Sequence, residues 1–490
     1  MGRKDGEARP VKKNAYWIEG NEMQMLIDVG MVAGLPQRER GMLRNLIEIY
    51  QSHYAKNWEK EKYYEGNIPL SDVNLGIALP KNMSKLEIGC AWGAKAVDVL
   101  AARSMFDGFV DARGYQSEDL AGIVTDNDLV TEYAKACRDE LKLGCTFATL
   151  SADREIGCKI RFHSPLTAAA HWDGEKGRID YGFAVINSAP SDANKLWEPT
   201  LINLYTEDAV WVLEKRGSLW NATGYTHKMG RPLMEVFRWN PTSSKPFGRS
   251  RIKEPVRRLI QGYVRTMANA SIGLEFATSP QKYLLGVTDD QYDAVVNDKF
   301  RQYVGSIIAS TTNPETGEKP TFGQLAQGTI QPHVDMMRLL ATQFSAATGL
   351  SVTDTGVVND ANPTSSEAII AQTQTLIGMA EQLNQSNGNS LRIVAVMALA
   401  IANGSTMEEL GEEAQNIVAH FKNPAMPSVA STTDAALKIA SARQGFASTD
   451  TFLEMIGFSQ ADIRRIKAEE QRSRGMEVLT EEFGNETVSE

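Results

Sequence analysis

The sequence predicts an α+β protein, mainly helical and built from several modules. Three observations lead there: a length of 490 residues, beyond one ordinary core; long stretches with apolar residues at helical spacing; and a central span, Gly144 to Asn240, where the period drops to short β-rich runs. A hydrophobic content of 42% is ample for a folded interior.

In chain order, the first 13 residues carry Arg3, Lys4, Arg9, Lys12 and Lys13 and are expected to form a flexible, solvated basic arm. Leu43, Leu46, Ile47, Tyr50 and Tyr54 recur at spacings of three and four, predicting a helix from Gln37 to Tyr64. Further helices are expected from Leu86 to Arg103 and from Asn127 to Leu141. Between Gly144 and Asn240, runs such as Leu201 to Thr206, Ala209 to Leu213 and Pro232 to Trp239 predict a twisted sheet with hairpins. Trp172, Trp197, Trp211, Trp220 and Trp239 fall in this span and read as core or sheet-face residues rather than base-stacking platforms.

Ser250 is expected to cap a helix with apolar residues at Ile252, Val256, Leu259, Ile260, Tyr263, Val264 and Met267. Its other faces carry Arg251, Lys253, Arg257, Arg258 and Arg265, a basic surface for water or for a polyanion. A compact insert follows, with a helix near Asp289 to Tyr303, a β-like Ser306 to Ser310, an exposed turn at Asn313 to Gly317, and Pro320 to Leu325. Val334, Met337, Leu340, Ala341 and Phe344 mark a second long helix ending at Gly349, a C-cap signal. Pro363 followed by Thr364-x-x-Glu367 reads as a capping box opening the next helix. Residues Thr406 to Phe421 and Thr432 to Arg474 are expected to be helical, before an acidic tail.

The loop between Gly349 and Pro363 lies in an unusual interval. The 53 residues between Arg338 and Arg392 contain no Lys or Arg, although 51 of the 490 residues are basic. A polyanion that passes close by without being held is one physical reason, since each cation touching a phosphate adds salt-dependent adhesion. An ordinary surface loop joining two core helices would carry the same local grammar.

Composition and motifs exclude several classes. The net charge of −10 argues against a general DNA-gripping surface. The most apolar stretch, Ile393 to Ala402, is too short to span a bilayer, so no membrane role is expected. Cys90, Cys137, Cys145 and Cys158 lack C-x-x-C spacing and read as buried small apolar residues in a reducing cytoplasm. The string Gly89-Cys-Ala-Trp-Gly93-Ala-Lys95 lacks the spacing of a phosphate-binding loop, and no hydrolase, zinc-protease or dinucleotide motif is present. His163 and His171 lack further ligands at metal spacing. Neither a cofactor, nor a metal, nor enzymatic activity is expected.

The string running from Thr321 (TFGQLAQGTIQPHVDMMRLLATQFSAATGLSVTDTGVVNDANPTSSEAIIAQTQTLIGMAEQLNQ) on to Ala402 resembles the portal proteins of long-tailed double-stranded DNA bacteriophages. HSPLTAAAHWD (His163 to Asp173) with GRIDYGFAVI, FGRSRI (Phe247 to Ile252) and SPQKYLLGV (Ser279 to Val287) resemble the same family in the same order, so the likeness spans Leu26 to Ile466. It implies a portal fold with a basic arm (1–25), an α+β wing (26–249), a first stem helix (250–276) and a clip (277–328). A second stem helix (329–348), a tunnel loop (349–362), a tunnel helix (363–384), a wing return with helical crown (385–474) and an acidic tail (475–490) would follow. Such proteins form a homo-oligomeric ring, twelvefold in the virion, at one capsid vertex, assembled in the host bacterial cytoplasm. Double-stranded DNA passes through it without sequence readout during packaging and ejection. Terminase, then head-completion or adaptor proteins, dock on the clip; major capsid and scaffolding proteins are further partners. The resemblance places Thr353, Asp354, Thr355, Val357, Asn359 and Asp360 at the DNA channel, with Thr364 and Glu367 capping the tunnel helix. The basic residues of the first stem helix and the clip residues Asn313, Glu315, Glu318 and Lys319 complete the set. Another virion structural protein, a capsid or adaptor subunit, or a DNA-processing enzyme, are the alternatives.

Overall fold

The computed structural model describes residues 27, 29–68, 88–111, 117–190, 197–217, 219–278, 282–285, 317, 321–324, 329–356, 366–425, 429–443, 445–458 and 462–473. The chain divides into two units, Met1–Pro424 and Ala425–Glu490.

The first unit opens with α1 (Gln37–Glu65), which follows Pro36 and stops at Gly66, whose φ of 75° closes the last turn in the left-handed region. Its Leu43, Leu46, Ile47, Tyr50 and Tyr54 are buried against Phe183, Ile202, Leu204 and Leu213 of a six-stranded sheet. That sheet is built from β1 (Val32–Ala33), β5 (Ala168–Asp173), β6 (Arg178–Pro190), β7 (Trp197–Tyr205), β8 (Ala209–Arg216) and β9 (Leu219–Thr226), in the order β1-β9-β8-β7-β6-β5. All its pairings are antiparallel except the short contact of β1 with β9. Burying each such Leu or Ile is worth about 1.5–3 kcal/mol relative to exposure, so the stripe on α1 fixes which helix face meets the sheet.

A second core gathers α2 (Trp92–Ala101), α4 (Leu129–Leu143) and the sheet β10-β3-β4, formed by Met234–Arg238, Cys145–Asp153 and Gly157–His163. The β3–β4 turn is held by Asp153, whose carboxylate accepts the backbone N–H groups of Glu155 and Ile156. All four cysteines are free and buried. Onto this core pack α5 (Glu254–Thr278), α6 (Gln331–Thr348) and α7 (Ser366–Asn403). Helices α5 and α6 meet through Val256, Ile260, Val264 and Ala268 on one side and Leu340, Ala341 and Phe344 on the other. Within the insert between them, β11 (Lys282–Leu285) pairs antiparallel with β12 (Thr321–Gln324).

Several elements depart from expectation. The helix anticipated from Leu86 starts only at Trp92, because Gly89 is bridged to Asn67 in extended conformation. The helix anticipated from Asn127 begins at Leu129 and is preceded by a separate α3 (Glu118–Asp126). Val418–Phe421, expected to be helical, forms a strand (β13) paired with Phe106–Val110 (β2), where the Phe421 ring meets Phe106 and Tyr133 at 5.9 and 5.8 Å. Tertiary pairing there overrides local helical preference. Only Glu412–Gln415 is helical in the stretch before it. Finally, α7 runs unbroken for 38 residues, through Asn384 where a boundary was placed. Leu376, Ala380, Leu383, Asn387, Leu391 and Val394 form one continuous buried stripe across that point.

The second unit contains helices at Val429–Ala442, Asp450–Ile456 and 462–473. Thr449 caps the middle one by accepting the N–H of Phe452, and Gly457 ends it with a φ of 108°.

Candidate functional site

The loop leaving α6 begins at Gly349, where the C-cap signal predicts it. Gly349 has a φ of 72° and donates its N–H to Ser345 O. That left-handed backbone favours glycine, and a Cβ there would also push on the Met379 methyl of α7, 2.6 Å away. Leu350 then turns inward and is buried, while its carbonyl accepts the Ser345 hydroxyl at 2.5 Å.

A short 3-10 turn follows at Thr353–Thr355. Asp354 closes it: one carboxylate oxygen accepts both the Ser351 N–H (3.0 Å) and the Ser351 hydroxyl (2.7 Å). The Thr355 hydroxyl donates to Val352 O, and the Thr355 carbonyl accepts the indole N–H of Trp92 at 3.2 Å. Thr353 and Gly356 are exposed; Asp354 and Thr355 are half-buried.

Trp92 links the loop root to the helices beneath it. Its ring lies 4.4 Å from Tyr263 on α5 and 4.8 Å from Phe344 on α6, so one side chain from α2 contacts both long helices and the loop backbone. The helix bearing it can approach α1 only because residue 93 is glycine: a Cβ there would fall 2.0 Å from Tyr63 O. The neighbouring Gly-rich string thus has a packing role.

Arg251 corrects the expectation of a basic outer face. It lies before α5, which starts at Glu254, and is buried. Its guanidinium donates to Thr348 O at 2.6 Å and to Ala96 O, and reaches the Met379 sulfur at 3.5 Å. Thr348 O is one of the end carbonyls of α6 that no intrahelical N–H can satisfy, and the cation also sits at the negative end of that helix. Burial pulls the guanidinium down to about 10, so it stays charged at neutral pH. Ser250 does not cap α5; its hydroxyl donates to Lys142 O and accepts the N–H of Ile252. Of the other basic residues, Lys253, Arg258 and Arg265 are exposed, with Arg258 paired to Glu254 on its own helix, and Arg257 pairs with Glu59 of α1 at 3.4 Å.

Val357, Asn359, Asp360, Thr364 and the clip residues Asn313, Glu315, Glu318 and Lys319 lie outside the described residues, as do the side-chain surroundings of Glu367. His163 is buried with its Nε2 3.0 Å from the Thr149 hydroxyl, and burial lowers it to about 4; His171 stacks on Tyr181. Among the described residues no group of His, Cys, Asp or Glu is placed to hold a metal ion, and no helix is long and apolar enough to cross a membrane.

A second polar joint holds α7 against α4. Asn387 donates to Glu140 at 2.7 Å and to the Tyr133 hydroxyl at 3.0 Å, and Tyr133 also meets the Ser104 hydroxyl at 2.7 Å. Glu140 and Asn387 are both fully buried, and burial pushes the Glu140 carboxyl up to about 8. Its other oxygen has no hydrogen-bond partner among the described residues, which makes it the natural place for the proton. Neither residue stood out in the sequence, where a Glu and an Asn on two helices carry no sign of meeting.

The described residues thus form a mixed α/β body on which two long helices and an anchored loop root are packed. The family model described as Phage portal protein, SPP1 Gp6-like, matches residues 43–476, and the chain belongs to this family. It is a phage portal protein, a virion component at the capsid vertex. The chain is 22% identical over 469 residues to the portal protein of Mycobacterium phage D29, covering 92% of this chain and 93% of that protein. It is also similar to a chain in the neck of a native GTA particle computed with C12 symmetry, with 11% identity and a TM-score of 0.41 over 75% of this chain and 89% of that one.

Proposed function

We propose that twelve copies close head to tail into a ring through which double-stranded DNA passes in both packaging and ejection, without sequence readout. In this reading the wing is the α+β body up to residue 249, and α5 and α6 are the stem. The insert between them is the clip that receives terminase and later head-completion proteins, and residues 349–362 border the passage. Capsid and scaffolding proteins meet the outer body, and the chain performs no chemistry of its own.

The observation that carries this reading is the coincidence of the cation-free interval with the loop and both its flanks. Repetition around an axis multiplies every side chain, so one Lys per loop would become a ring of cations and a brake on the duplex. Thr353 and Asp354 instead offer hydroxyls and negative charge on a root tied to Trp92 and Arg251. A ring of this kind needs two different complementary surfaces on each subunit. Leu274 on α5 and Met336 and Leu339 on α6 are exposed apolar residues available for that contact.

The test is an in vitro packaging assay on proheads bearing Asp354→Lys with Asp360→Lys. Packaging should slow or arrest, with a steeper salt dependence, while Asp354→Asn with Asp360→Asn, which removes the charge without adding a cation, should package freely. Unchanged kinetics in the Lys variant would remove the loop from the passage.

A further inference from the structure

Away from the loop, a cavity of about 160 Å³ opens between α7 and the wing sheets, lined by Arg178, Arg231 and Arg238 together with Glu235 and Trp172. We propose that this cavity is a binding site for one small oxyanion, a phosphate, sulfate or carboxylate group, held between the wing and α7.

Charge balance is the main argument. Arg178 is matched outside the cavity by Glu207, at 3.1 Å, and donates to Gly230 O at 2.8 Å. Arg231 is bonded to Glu235, and both are buried. Arg238 has no ion pair among the described residues: its guanidinium stacks 4.5 Å above Trp172 and donates to Pro246 O at 3.2 Å. With Arg178 matched by Glu207, Arg231 and Arg238 share the one lining carboxylate, Glu235, and Arg392 adds a further positive field at Arg231. Burial raises the Glu235 pKa against the pull of Arg231 and Arg238.

Hydrogen-bonding capacity points the same way. The Nε of Arg231 is buried with no partner among the described residues, although a buried guanidinium donor left unmade is costly. Asn389, exposed on α7 at the cavity wall, has an amide that can donate. Forked guanidiniums with an amide opposite suit a planar or tetrahedral oxyanion better than chloride. The Ser386 and Ser390 hydroxyls donate to Arg238 O and Val236 O, so α7 is already seated on the strand that bears Glu235 and Arg238. An anion bridging Asn389 to the arginines would tighten that seat. No residue of the cavity belongs to the loop, so the proposal stands or falls independently of the ring.

The experiment is calorimetric titration of the full chain with inorganic phosphate, sulfate and acetate at constant ionic strength, with chloride as the background anion. Saturable binding at one site per chain is expected, weakened about tenfold or more in Arg238→Gln and in Arg178→Gln. It should be unaltered in Lys438→Gln, which removes an exposed cation in the other unit. Near-ultraviolet circular dichroism checks that the variants are folded; should Arg238→Gln fail that check, Arg178→Gln decides alone. No heat beyond chloride, or equal affinity in wild type and the arginine variants, would mean that water fills the cavity and would overturn the assignment.

Discussion

At the loop root a buried cation, Arg251, meets helix-end carbonyls, whereas along α7 a buried acid, Glu140, meets the amide of Asn387. Both joints fix a long helix to the α/β body, and both remove an ionisable group from water. They differ in what happens when the proton count changes. Arg251 remains charged across the physiological range, so the root is indifferent to pH. Glu140 starts from an ordinary value of 4.5 and is raised to about 8 in the folded chain. Between those values the folded chain holds a proton that the unfolded chain has lost, so the stabilisation is full below 4.5 and is lost as pH rises to about 8. The guanidinium joint holds its charge across the physiological range, while the carboxylic acid joint weakens as pH rises through about 8.

The sharpest way to break this contrast is Trp92→Ala, which removes the ring packed between Tyr263 and Phe344 and frees the Thr355 carbonyl. A loss of about 3–5 kcal/mol is expected in denaturant unfolding, together with faster proteolysis near residue 355. Arg251→Met comes next. It leaves Thr348 O without its donor and should cost about 3 kcal/mol equally at pH 6 and pH 9, with Arg251→Lys recovering only part of it. Glu140→Gln tests the other side: it should flatten the decline in stability between pH 4.5 and 8 and be more stable than wild type at pH 9 by on the order of 2 kcal/mol. Persistence of the same pH slope in that variant would assign it to other groups. The smallest effect belongs to Gly349→Ala, about 1 kcal/mol from the left-handed backbone, since the Met379 methyl it meets ends a flexible side chain.

The stripe on α1, the Gly349 cap and the cation-free interval were all legible in the sequence, because each is a local pattern and local patterns survive into the fold. Arg251 was not. Periodicity assigned it to an exposed helix face, but the helix begins three residues later, and its partners Ala96 and Thr348 are far away in sequence. Trp92 was hidden for the same reason: its meaning comes from rings at positions 263 and 344. The unbroken course of α7 was missed because its end at Asn384 comes from the resemblance, whereas the buried stripe carries the helix on past Gly388. Strand β13 was invisible because the strand it pairs with, β2, lies some 300 residues upstream.

At 1.5 Å per residue, the 38 residues of α7 make a rod roughly 57 Å long. Its midpoint is clasped by Glu140 and the Tyr133 hydroxyl, and about two turns earlier Met379 lies against Arg251 and Gly349. A rigid rod with a fulcrum converts a small tilt into a larger sweep at its tip, so a repacking of one or two side chains at Asn387 would be felt as travel at Ser366.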